Sequence, residues 1–163
     1  MPATYEKIAT TTLGSAASAI TFSSIPATYT DLKIIFTGSY TVASRPSVRF
    51  NSDTGTNYSF TRLWGDGTSA SSGRRSNDPY LFLAISDFSN RCFYEIDIFS
   101  YAGSTYKTAL MTLSQDNNGS GNVIKQVGLW RSTSAITTIE LSDYDAGTTV
   151  AGSTATLYGI LKA

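Results

Sequence analysis

Residues 91–99 read Arg-Cys-Phe-Tyr-Glu-Ile-Asp-Ile-Phe, a stretch in which mainly apolar positions alternate with charged ones. One set of alternate positions is Cys92, Tyr94, Ile96 and Ile98, and the other is Arg91, Phe93, Glu95, Asp97 and Phe99. Because successive side chains of a β-strand point to opposite faces of its sheet, the first set forms one apolar face. The stretch therefore predicts a strand with one face buried and the other solvated.

Similar alternation recurs along most of the chain, interrupted by turns rich in Gly, Ser, Asn and Asp. More than a quarter of the residues are Ser or Thr, and aromatic residues make up 12%. Thr, Tyr, Phe, Val and Ile favour strands, whereas Ser, Gly, Asn and Asp favour turns. The predicted strands are residues 5–13, 19–22, 32–37, 47–51, 58–64, 80–85, 91–99, 106–114, 123–130, 136–141 and 154–161.

Two long segments lack this alternation and are predicted to be connections. Residues 115–122, Gln-Asp-Asn-Asn-Gly-Ser-Gly-Asn, are typical of a hairpin turn because glycine and asparagine tolerate positive φ angles. Residues 65–79 are dense in Gly, Ser, Asn and Asp and are predicted to be a long loop. No stretch keeps the 3.6-residue apolar period of a helix.

The number and spacing of the strands predict the fold class. About ten or eleven short strands fit an all-β, two-sheet antiparallel sandwich better than one sheet. The long returns between strands favour a jelly-roll-like arrangement. A chain of 163 residues fits one domain, so residues 1–163 are predicted to form a single β-sandwich, with residues 1–18 as an N-terminal arm or an edge strand.

Composition excludes several classes of protein. The chain has no histidine, so the commonest general base and metal ligand is missing. Its one cysteine, Cys92, has no disulfide partner within the chain and is expected to be a small buried side chain. Twelve basic and twelve acidic residues give a net charge of zero, which argues against nucleic-acid binding. No apolar run reaches the roughly 20 residues that span a bilayer, and no secretory signal is recognisable. A chain folded in a cytosol, with no membrane and no nucleic acid as partners, is expected.

Glu95 and Asp97 are the strongest candidates for paired catalytic carboxylates. At i and i+2 of one strand they lie about 7 Å apart, a separation that glycosidases use. Any two acids at this spacing meet that criterion, and the simpler interpretation is a solvated face paired with Arg91 or a cross-strand lysine. No histidine follows a serine elbow. No catalytic residue, no cofactor and no enzymatic activity are therefore predicted.

Three acidic turns offer oxygen ligands for a calcium ion: residues 51–53, 116–118 and 143–145. A calcium loop of the EF-hand type needs a fixed series of ligands that ends in a bidentate glutamate, and none of the three turns has it. Asp and Asn in such places usually cap their own backbone. No metal site is predicted.

An interaction surface is the remaining kind of site. Arg74 and Arg75 in the predicted 65–79 loop are positioned to clamp a carboxylate of a partner, and tryptophan and arginine are enriched at interfaces. The alternative is that the tryptophans close the core and the arginines are solvated. The N-terminal segment is expected to add a strand to the sheet of a neighbour. The predicted interface residues are Trp64, Arg74, Arg75, Trp130, Arg131 and Tyr5.

Three segments carry a resemblance to a known class of proteins: residues 24–32 (SIPATYTDL), residues 49–58 (RFNSDTGTNY) and residues 153–160 (STATLYGI). Together they resemble small virion structural proteins of tailed bacteriophages. In those proteins a strand near Ser-Ile-Pro, a Phe-Asn-x-Asp turn and a closing Leu-Tyr-Gly-Ile strand recur. The resemblance extends from about residue 20 to the end of the chain.

The resemblance implies a jelly-roll-like subunit that assembles on the virion as a homotrimer. Its first implied role is that of a capsid cement, or decoration, protein made in the host cytoplasm and bound to the major capsid protein at the capsid surface. The alternative is a tail-fibre or baseplate module that binds a host receptor or glycan. One short compact domain favours the first role. Sugar platforms for the second would come from Tyr40, Tyr101, Tyr106 and Tyr144.

Overall fold

The computed structural model describes residues 4–42, 45–83, 90–145 and 147–161. Within these ranges all regular secondary structure is β-strand, and no helix there is long and apolar enough to cross a membrane. The strands are Tyr5–Thr12 (β1), Ala19–Phe22 (β2), Asp31–Gly38 (β3), Pro46–Phe50 (β4), Tyr58–Gly65 (β5), Ala70–Asp78 (β6), Leu81–Phe82 (β7), Cys92–Phe99 (β8), Lys107–Asp116 (β9), Gly121–Trp130 (β10), Ile139–Asp143 (β11) and Thr154–Ile160 (β12).

The strands form two antiparallel sheets of unequal size. The large sheet has eight strands in the order β1-β12-β3-β8-β9-β10-β5-β6, and the small sheet has four in the order β2-β11-β4-β7. The prediction of an all-β, two-sheet antiparallel sandwich is confirmed. Strand β1 lies at one edge of the large sheet, so residues 5–12 of the N-terminal segment form an edge strand.

The strand pairing is that of a rolled-up hairpin. Strands β1, β2, β3 and β4 pair antiparallel with β12, β11, β8 and β7, and successive pairs belong to the large and the small sheet in turn. This is the winding of a jelly roll, in which one long antiparallel ribbon folds over itself into two sheets. Two added hairpins, β5–β6 and β9–β10, widen the large sheet on one side.

The core lies between the sheets and takes alternate residues from each strand. In β8 the predicted apolar set Cys92, Tyr94, Ile96 and Ile98 is buried. Aromatic contacts join the two sheets: the ring of Phe50 in the small sheet lies 5.6 Å, between centroids, from Trp130 in the large one. The remaining alternate positions of the large sheet point away from the small sheet.

The predicted loop at residues 65–79 is wrong. These residues contain strand β6, which pairs with β5 through a tight turn closed by a 3.3 Å hydrogen bond from the Asp66 N–H to the Ser69 carbonyl. Strand β6 is the outermost strand and is exposed over most of its length. An edge strand that buries so little surface needs no apolar alternation, and the sequence therefore carries no such signal.

Other strand boundaries differ less. Residues 136–138 precede β11, although the predicted strand began at Ile136, which is buried and donates its N–H to the Tyr101 carbonyl at 2.9 Å. Strand β7 covers Leu81–Phe82 of the predicted strand 80–85, and residues 84 and 85 lie outside the described residues.

The predicted hairpin turn after residue 115 is confirmed. The Asn117 N–H donates to the Ser120 carbonyl at 2.7 Å, and the two residues between them have φ angles of 56° (Asn118) and 109° (Gly119). An Asn-Gly pair with two positive φ angles matches the twist of the flanking strands. The turn sets the register in which β9 meets β10.

We expect Gly119→Ala to destabilise the protein by about 1–2 kcal/mol, because an L side chain is strained at this φ angle even where space is free. Gly14→Ala is the matched control, since a methyl group at either position has no neighbour within 4 Å and Gly14 lacks the positive φ angle. Urea denaturation of both variants measures the difference. Equal stability of the two variants would show that the turn tolerates the strain.

Candidate interaction surface

The face of the large sheet directed away from the small sheet, here called the outer face, carries an unusual share of exposed apolar side chains. Leu63 is 64% exposed and Val123 is 58% exposed. Six of the nine exposed large apolar side chains of the described residues lie on this face: Tyr5, Leu63, Phe93, Phe99, Val123 and Val127. Apolar side chains concentrated on one face of a monomer usually mark a contact surface.

Strand register arranges the outer face in rows that run across the sheet. One row crosses β8, β9 and β10 as Phe93, Ser114 and Val123. The next row contains Ile35, Glu95, Thr112, Lys125 and Leu63, from β3 to β5. Neighbouring strands lie about 4.8 Å apart, so side chains two strands apart in a row are separated by roughly 10 Å. A third row contains Lys33, Asp97, Leu110, Val127, Thr61 and Arg74, and a fourth contains Phe99, Thr108, Leu129, Ser59 and Ser76.

Glu95 and Asp97 project from the outer face and share one lysine. The Nζ atom of Lys33 lies 3.0 Å from Glu95 Oε2 and 2.8 Å from Asp97 Oδ1. Partial burial alone would lower the pKa of Lys33, but its hydrogen bonds to Asp97 and Glu95 outweigh burial and raise that pKa. The interpretation of this pair as a strand face held by a cross-strand lysine is confirmed. One carboxylate charge remains uncompensated within the trio.

The structure separates the two adjacent arginines. In β6, Arg74 lies opposite Thr61 and points to the outer face, whereas Arg75 lies opposite Phe60 on the other face. Arg75 donates to Asp78 at 2.7 Å, and its guanidinium lies 5.1 Å from the centre of the Phe82 ring. A clamp that uses both guanidinium groups on one carboxylate is therefore wrong, because successive strand residues point to opposite faces of the sheet.

Arg74 borders a shallow hollow of the outer face. The hollow measures about 360 Å³ and lies over β10, β5 and β6. Val127 and Leu129 form its apolar part, and hydroxyl groups of Ser59, Thr61, Ser76 and Thr108 surround them.

The two tryptophans lie on the inner side of the large sheet. Trp130 is 2% exposed, its ring stacks on Tyr58 at 6.3 Å between centroids, and its Nε1 donates to Asp53 Oδ2 at 2.7 Å. Its side chain has no surface to offer a partner, so the core alternative holds for Trp130. Trp64 is half-buried against the core, with the Arg62 guanidinium 5.5 Å from the centre of its ring.

The last two predicted interface residues have different surroundings. Arg131 donates to the Thr56 carbonyl and, at 2.8 Å, to Asn77 Oδ1, so it fastens the end of β10 to the turn before β5 and to the end of β6. Tyr5 is exposed on the outer face at the edge strand β1. Of the six predicted residues, Tyr5 and Arg74 therefore lie on the outer face.

The acidic turns use their carboxylates within the fold. Asp53 accepts hydrogen bonds from Trp130, Asn57 and the Gly55 N–H. Asp116 accepts the Asn118 N–H, and Asp143 accepts the N–H groups of Arg45 and Gly147. Among the described residues no group of three or more His, Cys, Asp or Glu side chains is placed to hold a metal ion. The interpretation of these acids as turn formers is confirmed.

A larger hollow of about 800 Å³ opens at the end of the large sheet, where β8 and β10 begin and β5 and β9 end. Several glycines border it and leave it open because they carry no side chain. Its lining includes the larger polar and aromatic side chains of Arg91, Phe93, Gln115, Asp116 and Asn122. Sequence reasoning missed this hollow, since it forms only when four strand ends meet.

No family model matches this chain, and no match was found among curated proteins or solved structures. Among the described residues, the outer face offers a surface for protein contact, and the larger hollow offers a concave site for a ligand.

We expect the Asp53 carboxylate to make stability fall in acid. Burial alone would raise its pKa, but hydrogen bonds from Trp130, Asn57 and the Gly55 N–H outweigh burial and lower the pKa in the folded protein. The stabilisation is therefore present above the unfolded-chain pKa of about 3.9 and is lost as the pH falls through the folded-state pKa.

Asp53→Asn should cost about 1–2 kcal/mol at pH 6, and the difference from the unmodified protein should shrink below about pH 4. Urea denaturation at a series of pH values measures both quantities. If the difference in unfolding free energy between the two proteins stays constant across this pH range, the hydrogen bonds to the charged carboxylate are not its cause.

Cys92 should react with thiol reagents only when the protein unfolds. The side chain is 2% exposed, and burial raises the pKa of its thiol to about 12. At pH 8 almost no thiolate is present, and the reagent cannot reach the sulfur. Labelling with a chromogenic disulfide should be slow in buffer and immediate in denaturant. A Thr54→Cys variant, exposed in the turn before β5 and away from the outer face, should label at once. Rapid labelling of Cys92 in buffer would contradict its burial.

Proposed function

We propose that this chain is a bacteriophage virion structural protein without enzymatic activity, a capsid decoration protein that binds the assembled shell as an oligomer and stabilises it. The observation that carries the proposal is the outer face, where six exposed apolar side chains lie on one side of an eight-stranded sheet. A surface of this kind is suited to contact with other proteins rather than to chemistry.

The sandwich supplies the rigidity that such a role requires. Most outer side chains stand on strands whose alternate residues are buried in the core, so this part of the surface keeps its shape before contact. Decoration stabilises a shell without covalent chemistry, because each subunit buries surface across a contact and the stabilisation from many copies is summed over the shell. A net charge of zero lets neighbouring copies pack closely.

Contact with the major capsid protein is assigned to the sheet edges in this proposal. Strands β1 and β6 are the two edge strands of the large sheet, and strand addition to such an edge is a common mode of protein recognition. The segment proposed to add a strand to a neighbour is residues 5–13. Its strand β1 already pairs with β12, so it would offer its other edge.

Electron cryomicroscopy of the virion, with the chain labelled by a specific antibody fragment, tests the proposal. The expected result is label at regular positions on the shell, and shells stripped of the chain should open at a lower temperature. Label confined to the tail, or absent from the particle, would overturn the assignment as decoration protein.

A receptor- or glycan-binding module is the second candidate, and the 800 Å³ hollow favours it. Of the four tyrosines proposed as sugar platforms, Tyr40 and Tyr101 are buried, while Tyr106 and Tyr144 are exposed. The hollow offers Phe93 as an aromatic surface beside carboxylate and amide groups.

Glycan-array binding by the purified chain distinguishes this candidate from decoration. If the hollow binds sugar, Phe93→Ala should abolish the signal, whereas Phe99→Ala, the same change on the same face away from the hollow, should leave it intact. Absence of binding to any glycan would remove this second candidate.

A further inference from the structure

We infer that two copies of this chain pack outer face to outer face, about a two-fold axis that runs along β9. The inference concerns the purified chain and does not depend on its place in a virion. It rests on the rows of the outer face, because this axis matches each of the seven strands from β12 to β6 with a defined strand of the second copy. Strand β8 then faces β10 of the second copy, and β3 faces β5 of the second copy.

Apolar side chains meet across this axis. In the first row Phe93 faces Val123 of the second copy, and in the fourth row Phe99 faces Leu129 of the second copy. In a two-fold contact each pair occurs twice. Aromatic and branched side chains that are exposed in the single chain would thus be removed from water in pairs.

The second and third rows add an apolar contact at the axis and a charged pair beside it. Leu110 of β9 packs against Leu110 of the second copy on the axis, and Ile35 faces Leu63 of the second copy. Glu95 faces Lys125 of the second copy. Lys125 has no carboxylate at ion-pair distance among the described residues of its own chain, where its Nζ donates to Thr112 Oγ1 at 2.7 Å. Glu95 shares Lys33 with Asp97 and so retains unsatisfied negative charge.

The position of the axis is selected by these charges. An axis shifted by half a strand, between β8 and β9, would place Glu95 against Thr112 and Lys125 against Ile35 of the second copy. Lys125 would then be covered without an opposite charge, which is unfavourable. The axis along β9 gives Lys125 a carboxylate and keeps the apolar pairs. In its third row Asp97 faces Val127 of the second copy and keeps its own ion pair with Lys33 at 2.8 Å.

The overlap is large enough for a stable dimer. With the axis along β9, the seven strands from β12 to β6 of each copy overlap, about 34 Å across, and four outer residues per strand span about 27 Å. The overlapping area is therefore roughly 900 Å² for each copy, compared with the ~800 Å² that each partner buries in a standard interface. Two sheets packed face to face lie about 10 Å apart with their strands nearly aligned. The free edges β1 and β6 and the loops stay available for a shell.

Sedimentation equilibrium of the purified full chain tests the inference. The unmodified chain should form dimers, and Val123→Asp should weaken dimerisation by at least about tenfold, since it covers a carboxylate against Phe93. Val42→Asp is the matched control: Val42 is 48% exposed but lies outside the outer face, so dimerisation should not change. A chain that is monomeric at every concentration, or dimers equally stable in both variants, would overturn the inference.

Charge reversal tests the pairing itself. Glu95→Lys alone should weaken the dimer, and the double variant Glu95→Lys with Lys125→Glu should restore it, because the pair is rebuilt across the axis with its signs exchanged. Circular dichroism of each variant shows whether the fold is kept. A double variant that is folded but remains as weak as the single one would exclude this register.

Cross-linking locates the axis. A short bis-maleimide of about 8 Å should join two copies through a Thr108→Cys variant, since β9 lies on the axis. Thr61→Cys, also an exposed threonine on the outer face, lies two strands from the axis, and its two copies would be roughly 19 Å apart laterally. Cross-linking of both variants at equal rates would overturn the proposed axis. The position of the chain in the virion does not affect either result.

Discussion

The burial of alternate side chains between two sheets is the constraint on which the rest of this structure depends. Each strand of the large sheet can point only every second residue at the small sheet, so the core also determines which side chains stand outside. The apolar set of β8 occupies the core, and Glu95 and Asp97 are thereby placed together on the outer face beside Lys33. The contact surface is therefore a direct product of the packing.

Much of the strand content was predictable, because strands such as β3, β8 and β9 bury one face and therefore alternate. Strand β6 was not, since its pairing with β5 at the edge of the sheet requires no apolar side chain. The order of strands was equally inaccessible. Partners such as β1 and β12 are far apart in the sequence, and neither local sequence indicates which strand it pairs with.

The candidate site was only partly predictable for a related reason. Tryptophan and arginine are frequent at interfaces, but in this fold Trp130 packs in the core and Arg75 pairs with Asp78. The outer face is not evident from the sequence because its exposed apolar residues are spread over four strands, β1, β5, β8 and β10, and polar side chains lie between them. A detectable sign was present: adjacent apolar pairs such as Leu110-Met111 place one side chain on each face. Without the register, these pairs could not be assembled into rows.

The position of β12 has a consequence for the order of folding. Strand β12 lies between β1 and β3, so these two early strands have no mutual contact, and this part of the sheet closes only when residues 154–160 pair with both. Such long-range pairing slows folding and leaves unpaired strands open to chaperones. The jelly roll thus makes closure of the large sheet a late event.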